Sequence, residues 1–340
     1  MVQLSSRVEQ QSDARPLPAT RILVAGILFA GVLAILIARW WTGTGYEPAP
    51  FGLPDPGLLT AIGLPVAQYV HEIAGVAVVG LLFLRCVALP GPSTPATSHL
   101  LEMAARWAWL WVGSTVAWVV FTLSELIGVP VTGLLERADV LLTVAGTDRV
   151  LAELATLWVA LLIALFVDRV QGVGPRWAVL FVATAALLPS ALSGHAGHHS
   201  SPTLAMSVLA VHLAASAVWV GGLLALIVHL RPFQQELRMA LPRFSTAALL
   251  CVLAIGLSGV VESIITLDGW QALWVTERGH LILAKSVALV VLAGIGYVHR
   301  QRTLGPAGSG RMAPLLRLAA GELLIMSGTI GIAVVLSTTA

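Results

Sequence analysis

The chain predicts an all-α polytopic membrane protein, and three observations carry that reading. Hydrophobic residues make up 57% of its 340 positions, charged residues only 11%, and the mean hydropathy is +0.90. Apolar stretches repeatedly exceed the roughly 20 residues that a spanning helix needs. Arginines, finally, fall mainly in alternate connecting segments. In lipid each helix satisfies its own backbone hydrogen bonds, so bundled helices are the expected architecture.

Nine spans are expected, at about 21–41, 64–89, 104–129, 149–168, 176–193, 203–230, 244–267, 279–299 and 314–337. The first follows a polar tail over 1–20 with Arg7 and Arg15, begins at Arg21 and ends at Arg39-Trp40-Trp41 without a small-residue cleavage site, so it reads as a retained anchor. Cys86 and Cys251 lie inside spans without C-x-x-C spacing and read as core packing. With the N-terminus cytoplasmic, fourteen arginines fall on the inner side and four on the outer, as the positive-inside rule requires. That orientation puts the C-terminus outside. Lys285, the chain's only lysine, falls within a span.

Spans two to five (64–193) and six to nine (203–337) read as duplicated four-helix units. Val70-His71-x-x-Ala74-x-x-x-Val78-Val79-Gly80 parallels Val211-His212-x-x-Ala215-x-x-x-Trp219-Val220-Gly221. Arg106 precedes Glu125 by nineteen residues and Arg243 precedes Glu262 by the same number, about 28 Å along a helix and close to the hydrocarbon thickness. Thr147-Asp148-Arg149 matches Thr276-Glu277-Arg278, and Val167-Asp168-Arg169 matches Val298-His299-Arg300. Units four spans apart keep one orientation, as in parallel repeats about an axis along the membrane normal.

The candidate chemistry lies in the outer third. Gly194-His195-Ala196-Gly197-His198-His199, in the outer loop 193–203, places three imidazoles among flexible glycines. Imidazole suits copper, zinc, iron and nickel, and ionisable groups inside spans are functional candidates because they are costly there. His71, His212, Glu125 and Glu262 are expected to converge into one cage, with Met206 adding a soft sulfur and Trp219, Lys285 and Glu322 in support. Lys285 may alternatively neutralise Glu262 or Glu153. His99, His229 and His299 read as residues of the inner boundary. No nucleotide-binding loop, G-x-S-x-G elbow or H-E-x-x-H helix is present, so hydrolysis and ATP-driven pumping have no sequence support and the chain does not read as an enzyme.

Gly194-His195-Ala196, the run His212 to Leu223, Arg243-Phe244-Ser245, Ser258-Gly259-Val260, Lys285, His299-Arg300 and Gly321-Glu322-Leu323 together resemble the CopD family of copper resistance membrane proteins. The resemblance covers roughly residues 190–337. It implies a multi-pass protein of the bacterial cytoplasmic membrane that binds copper, as Cu(I) or Cu(II), and moves it inward from the periplasmic side, beside a periplasmic CopC-type copper-binding protein. Two alternatives stay open. Paired His71 and His212 could hold haem in an electron carrier or cupric reductase, or the chain could bind copper as an assembly or sensing factor without transporting it.

Overall fold

The computed structural model describes residues 18–50, 53–170, 172–189, 202–267, 269–304 and 312–336. Among the described residues the α-helices of eight or more residues are α1 Pro18–Trp41, α2 Gly57–Phe83, α3 Pro95–Ile127, α4 Ala138–Ala145, α5 Asp148–Phe166, α6 Val173–Ala185, α7 Pro202–Ser216, α8 Gln234–Thr266, α9 Glu277–Leu304 and α10 Met312–Leu336. No strand occurs among the described residues. Two helices extend through wider π-turns, α2 over Leu84–Ala88 and α7 over Ala217–Gly221 and Leu226–Leu230.

Among the described residues, eight helices are long and apolar enough to cross a membrane. Of the expected fifth span, 176–193, the described residues form α6, thirteen residues or about 20 Å, then a turn at Ala186-Leu187 before helix resumes at Leu188; residues 190–193 lie outside the described residues. Pro189 explains the break: a proline ring meets the carbonyl four residues back, here that of Ala185, where the helix stops. The chain nevertheless returns across the bundle between α5 and α7. Trp107, near the start of α3, donates from Nε1 to His229 Nε2 at 2.9 Å, and Arg243, near the start of α8, donates to the Ala88 carbonyl at 2.7 Å. The ends of α2 and α7 therefore share one face, on which Arg85, Arg106, Arg231 and Arg243 also lie. Both helices run toward this arginine-rich face.

The most enclosed helix is α2, with 83% of its apolar window buried in protein. It lies against α3, α6, α7, α10 and α1. Small residues permit this crowding. A Cβ on Gly80 would fall on the carbonyl of Gly221, one on Gly221 would fall on the carbonyl of Val76, and one on Gly63 would enter the Phe121 ring. Gly80 and Gly221, which the sequence repeat pairs, are thus the residues at which α2 and α7 meet. Each lies nine residues beyond its histidine, His71 or His212.

The first helix packs on the last. Ser327 and Tyr69 hydroxyls, 2.7 Å apart, both bond the Ile27 carbonyl, and Gly331 closes on the backbone of Gly31 four residues further along each helix. Helices α1 and α10 therefore run in the same direction. Tyr69 is fully buried and its ring fills the space that Gly31 leaves open. Tyr69→Phe should lower stability by about 1 kcal/mol, since a hydroxyl bonded to both the Ile27 carbonyl and Ser327 is lost. A thermal unfolding midpoint equal to that of the parent protein would contradict this role for the hydroxyl.

Candidate functional site

His71 lies fourteen residues past Gly57, about 21 Å along α2, because that helix begins seven residues before the expected span. It is fully buried. Thr115 on α3 donates its hydroxyl proton to the Trp111 carbonyl at 2.7 Å, so its oxygen accepts from His71 Nδ1 at 2.8 Å. The other nitrogen, Nε2, then accepts from Trp111 Nε1 at 3.4 Å. Trp118 completes the enclosure, its ring centroid 4.7 Å from that of the histidine. Both imidazole nitrogens are engaged in tying α2 to α3.

His212 lies ten residues past Pro202, about 15 Å along α7. Ser258 on α8 donates to the Ile255 carbonyl at 3.1 Å, so its oxygen accepts from His212 Nδ1 at 3.0 Å. The ring also bonds the Ile255 carbonyl, and the side-chain bond to Ser258 is at Nδ1, which orients the imidazole through that nitrogen. Metal-ligating histidines are held in this way, the second nitrogen fixing tautomer and ring direction. Lys285 on α9 is an electrostatic neighbour of His212, and Glu262 on α8 is in turn a neighbour of Lys285. Of the two carboxylates proposed as partners for Lys285, Glu262 is the one beside it.

Glu125, Glu153 and Arg149 form a separate group between α3 and α5. Arg149 reaches Glu125 at 3.2 Å and Glu153 at 3.7 Å. Glu153 has no exposed side-chain surface, and Thr122 donates to it at 3.1 Å.

The expected single cage of His71, His212, Glu125 and Glu262 does not form: among the described residues no three His, Cys, Asp or Glu side chains group so as to hold a metal. The physical reason is partner choice. His71 turns to α3, His212 to α8, Glu125 to Arg149 and Glu262 toward Lys285. Met206 is 43% exposed and six residues before His212, about 120° around the helix, so it does not share the histidine's face. Trp219 is buried in the π-turn at the α2 crossing. Glu322 is buried within α10. His195, His198 and His199 lie outside the described residues. A haem held by both His71 and His212 would require a free nitrogen on each, and His71 offers none.

Ser258, Thr115 and Glu153 matter to this arrangement more than their sequence context suggested. The first two could have been found by depth matching. Helices α7 and α8 are antiparallel, and Ser258 lies eight residues before the end of α8 while His212 lies ten after the start of α7. His229, read as a boundary residue, accepts a hydrogen bond from Trp107, with the His99 ring beside it tilted by 56° at a centroid distance of 6.2 Å.

Two family models match the chain. Copper resistance protein D-like, N-terminal domain, covers residues 59–205, and Copper resistance protein D covers residues 238–336. The chain belongs to the copper resistance protein D family. The family match thus reaches back through the first half, where the sequence resemblance was weaker. His71, Glu125, His195, His198 and His199 fall in the N-terminal match, Glu262, Lys285 and Glu322 in the C-terminal one, and Met206, His212 and Trp219 between them. The chain is also 30% identical over 118 residues to "Copper transport protein CutJ" of Bacillus subtilis (strain 168), a match spanning 33% of this chain and 22% of that protein. No solved structure matches it. This copper resistance protein D relative is a membrane protein of a copper-handling family, and that family is not an enzyme class.

Proposed function

We propose that the protein imports copper across the bacterial cytoplasmic membrane toward its arginine-rich face, with His212 as the ligand within the membrane. The observation that carries this reading is the His212 imidazole, anchored through Nδ1 to Ser258, in a chain of a copper-handling family. The positive-inside rule supports a cytoplasmic arginine-rich face. The segment of His195, His198 and His199 precedes α7, which carries His212, in the sequence. That segment receives the ion outside, from solution or from a periplasmic CopC-type donor, and hands it to His212.

Imidazole alone accommodates either copper oxidation state, and Lys285 sets an electrostatic cost that Glu262 offsets. A cation entering beside His212 is repelled by an unneutralised ammonium, so the Glu262 carboxylate is needed for the ion to dwell. His71 has a different part: it fixes α2 against α3 and keeps the central helix in register beside α7.

Proteoliposomes enclosing a copper-sensitive dye test this directly and separate transport from binding. His212→Ala should reduce uptake at least about tenfold, and Ser258→Ala should weaken copper binding by about tenfold, the usual cost of losing a group that orients a metal-bound histidine. Unchanged uptake in folded His212→Ala protein would overturn the assignment. Copper bound by the parent protein without dye response would favour an assembly or sensing role instead.

A further inference from the structure

At the arginine-rich end of the bundle, Arg85 and Arg176 lie near each other without acidic partners. Arg85, in the π-turn that extends α2, is 1% exposed. Its Nη1 donates to the Leu89 carbonyl at 2.6 Å and its Nη2 to the Gly91 carbonyl at 3.2 Å, while its Nε is buried without any partner. Arg176, on the first turn of α6, acts on Arg85 as a like charge, and its Nε is likewise buried and unpartnered. The ion pairs among the described residues join Arg137 to Asp139 and Arg149 to Glu125 and Glu153, so neither guanidinium takes part.

A buried guanidinium beside a second, partly exposed one, each with an unpartnered buried Nε, is costly unless an anion joins them. A guanidinium carries five N–H donors in a planar fork that matches phosphate oxygens. The first turn of α6 adds unpaired backbone N–H groups and the positive end of the helix dipole. Beside these charges lies an apolar groove of about 250 Å³ between α5 and α6, lined by Leu162, Phe166, Val170, Val179 and Val182 among others. Val179 is one turn beyond Arg176, and Arg169 stands over the Phe166 ring at 5.9 Å. Charge at one end and a groove of aliphatic side chains at the other fit an amphiphile.

We propose that Arg85 and Arg176 bind the phosphate of an anionic phospholipid, whose acyl chain occupies the groove between α5 and α6. The lipid neutralises the two guanidiniums and covers the flank of α6, which at thirteen residues is shorter than a full span. Basic pockets between helices on the cytoplasmic side bind lipid headgroups in this manner. The inference does not depend on copper.

The test uses the full chain in neutral detergent, with thermal unfolding followed as phosphatidylglycerol, phosphatidylcholine or inorganic phosphate is added. Phosphatidylglycerol should raise the unfolding midpoint at a concentration about tenfold below phosphatidylcholine. Arg176→Gln should abolish that preference, and Arg176→Lys should retain part of it. Val182→Trp, which fills the groove from a half-exposed position, should weaken the lipid response while leaving both arginines in place. Equal responses to the two lipids, or an Arg176→Gln response equal to the parent's, overturn the site. A full response to inorganic phosphate that Val182→Trp does not alter overturns the lipid as the source of the anion. Native mass spectrometry of the parent protein provides a second readout, with retained phosphatidylglycerol expected and its absence from lipid-supplemented samples counting against the proposal.

Discussion

Gly80→Val should leave little folded protein, the largest stability loss expected of any single substitution described above. At the crossing of α2 and α7 the backbones touch, so a Cβ at position 80 occupies the place of the Gly221 carbonyl and one at 221 that of the Val76 carbonyl. Backbone cannot rotate aside as a side chain can. The two helices would have to separate, and α2 is in contact with α3, α6 and α10 on its other sides. Overpacking a well-filled core commonly costs 1–3 kcal/mol; separating two helices costs more, about 4 kcal/mol or above. Gly113→Ala and Gly259→Ala are the matched controls, because nothing lies within 4 Å of a Cβ at either position. Each should be neutral or slightly stabilising, by up to about 1 kcal/mol, through the helix propensity of alanine. Monodispersity on size exclusion and the thermal midpoint report the difference, and a Gly80→Val protein as stable as these controls would refute the close crossing.

The elements were legible in the sequence because hydrocarbon tolerates few polar residues, so uninterrupted apolar runs mark spans almost directly. Helix ends were less so. Helix α2 begins at Gly57 rather than near 64, and that shift moves His71 inward by two turns. Pro189 was visible in the sequence, yet the apolar run continues across it, and hydropathy is blind to the broken helix. Partner choice within the bundle was not legible for a related reason. A helix that is apolar all round has no hydrophobic stripe to reveal which way each side chain turns. His71 and His212 share a motif, but whether they faced each other or their neighbours depended on rotation about the helix axis, which an apolar sequence leaves unmarked. Helical spacing alone puts Arg149 and Glu153, four apart on α5, on one face, a pairing the sequence reading passes over when it offers Glu153 to Lys285. The crossing of Gly80 and Gly221 was foreshadowed by the repeated motif, since two equivalent small residues suit the point where related helices touch.

Arg149→Ala should destabilise the protein by about 3 kcal/mol, and the loss should trace to Glu153. Arg149 serves two carboxylates of different exposure, Glu125 with 43% of its side chain accessible and Glu153 with none. An exposed pair contributes at most about 1 kcal/mol, because water screens it and the side chains lose freedom in forming it. A buried carboxylate deprived of its cation is left with the hydrogen bond from Thr122 alone, and one of its oxygens, Oε2, has no partner even when Arg149 is present. Removing one member of a buried pair costs about 3–5 kcal/mol, and the partial exposure of Arg149 places the expected loss at the lower end. The neutral amide in Glu153→Gln removes that uncompensated charge. The Arg149→Ala/Glu153→Gln double variant should therefore recover most of the lost stability, whereas Arg149→Ala/Glu125→Gln should not. Thermal midpoints of the six proteins, the parent, three single variants and two double variants, form two double-mutant cycles with one shared edge. A larger coupling of Arg149 to Glu125 than to Glu153 would show that the arginine stabilises the outer surface and leaves the buried carboxylate to other groups. The expected ordering instead makes Arg149 the cation that allows α5 to carry an acidic residue into the bundle interior.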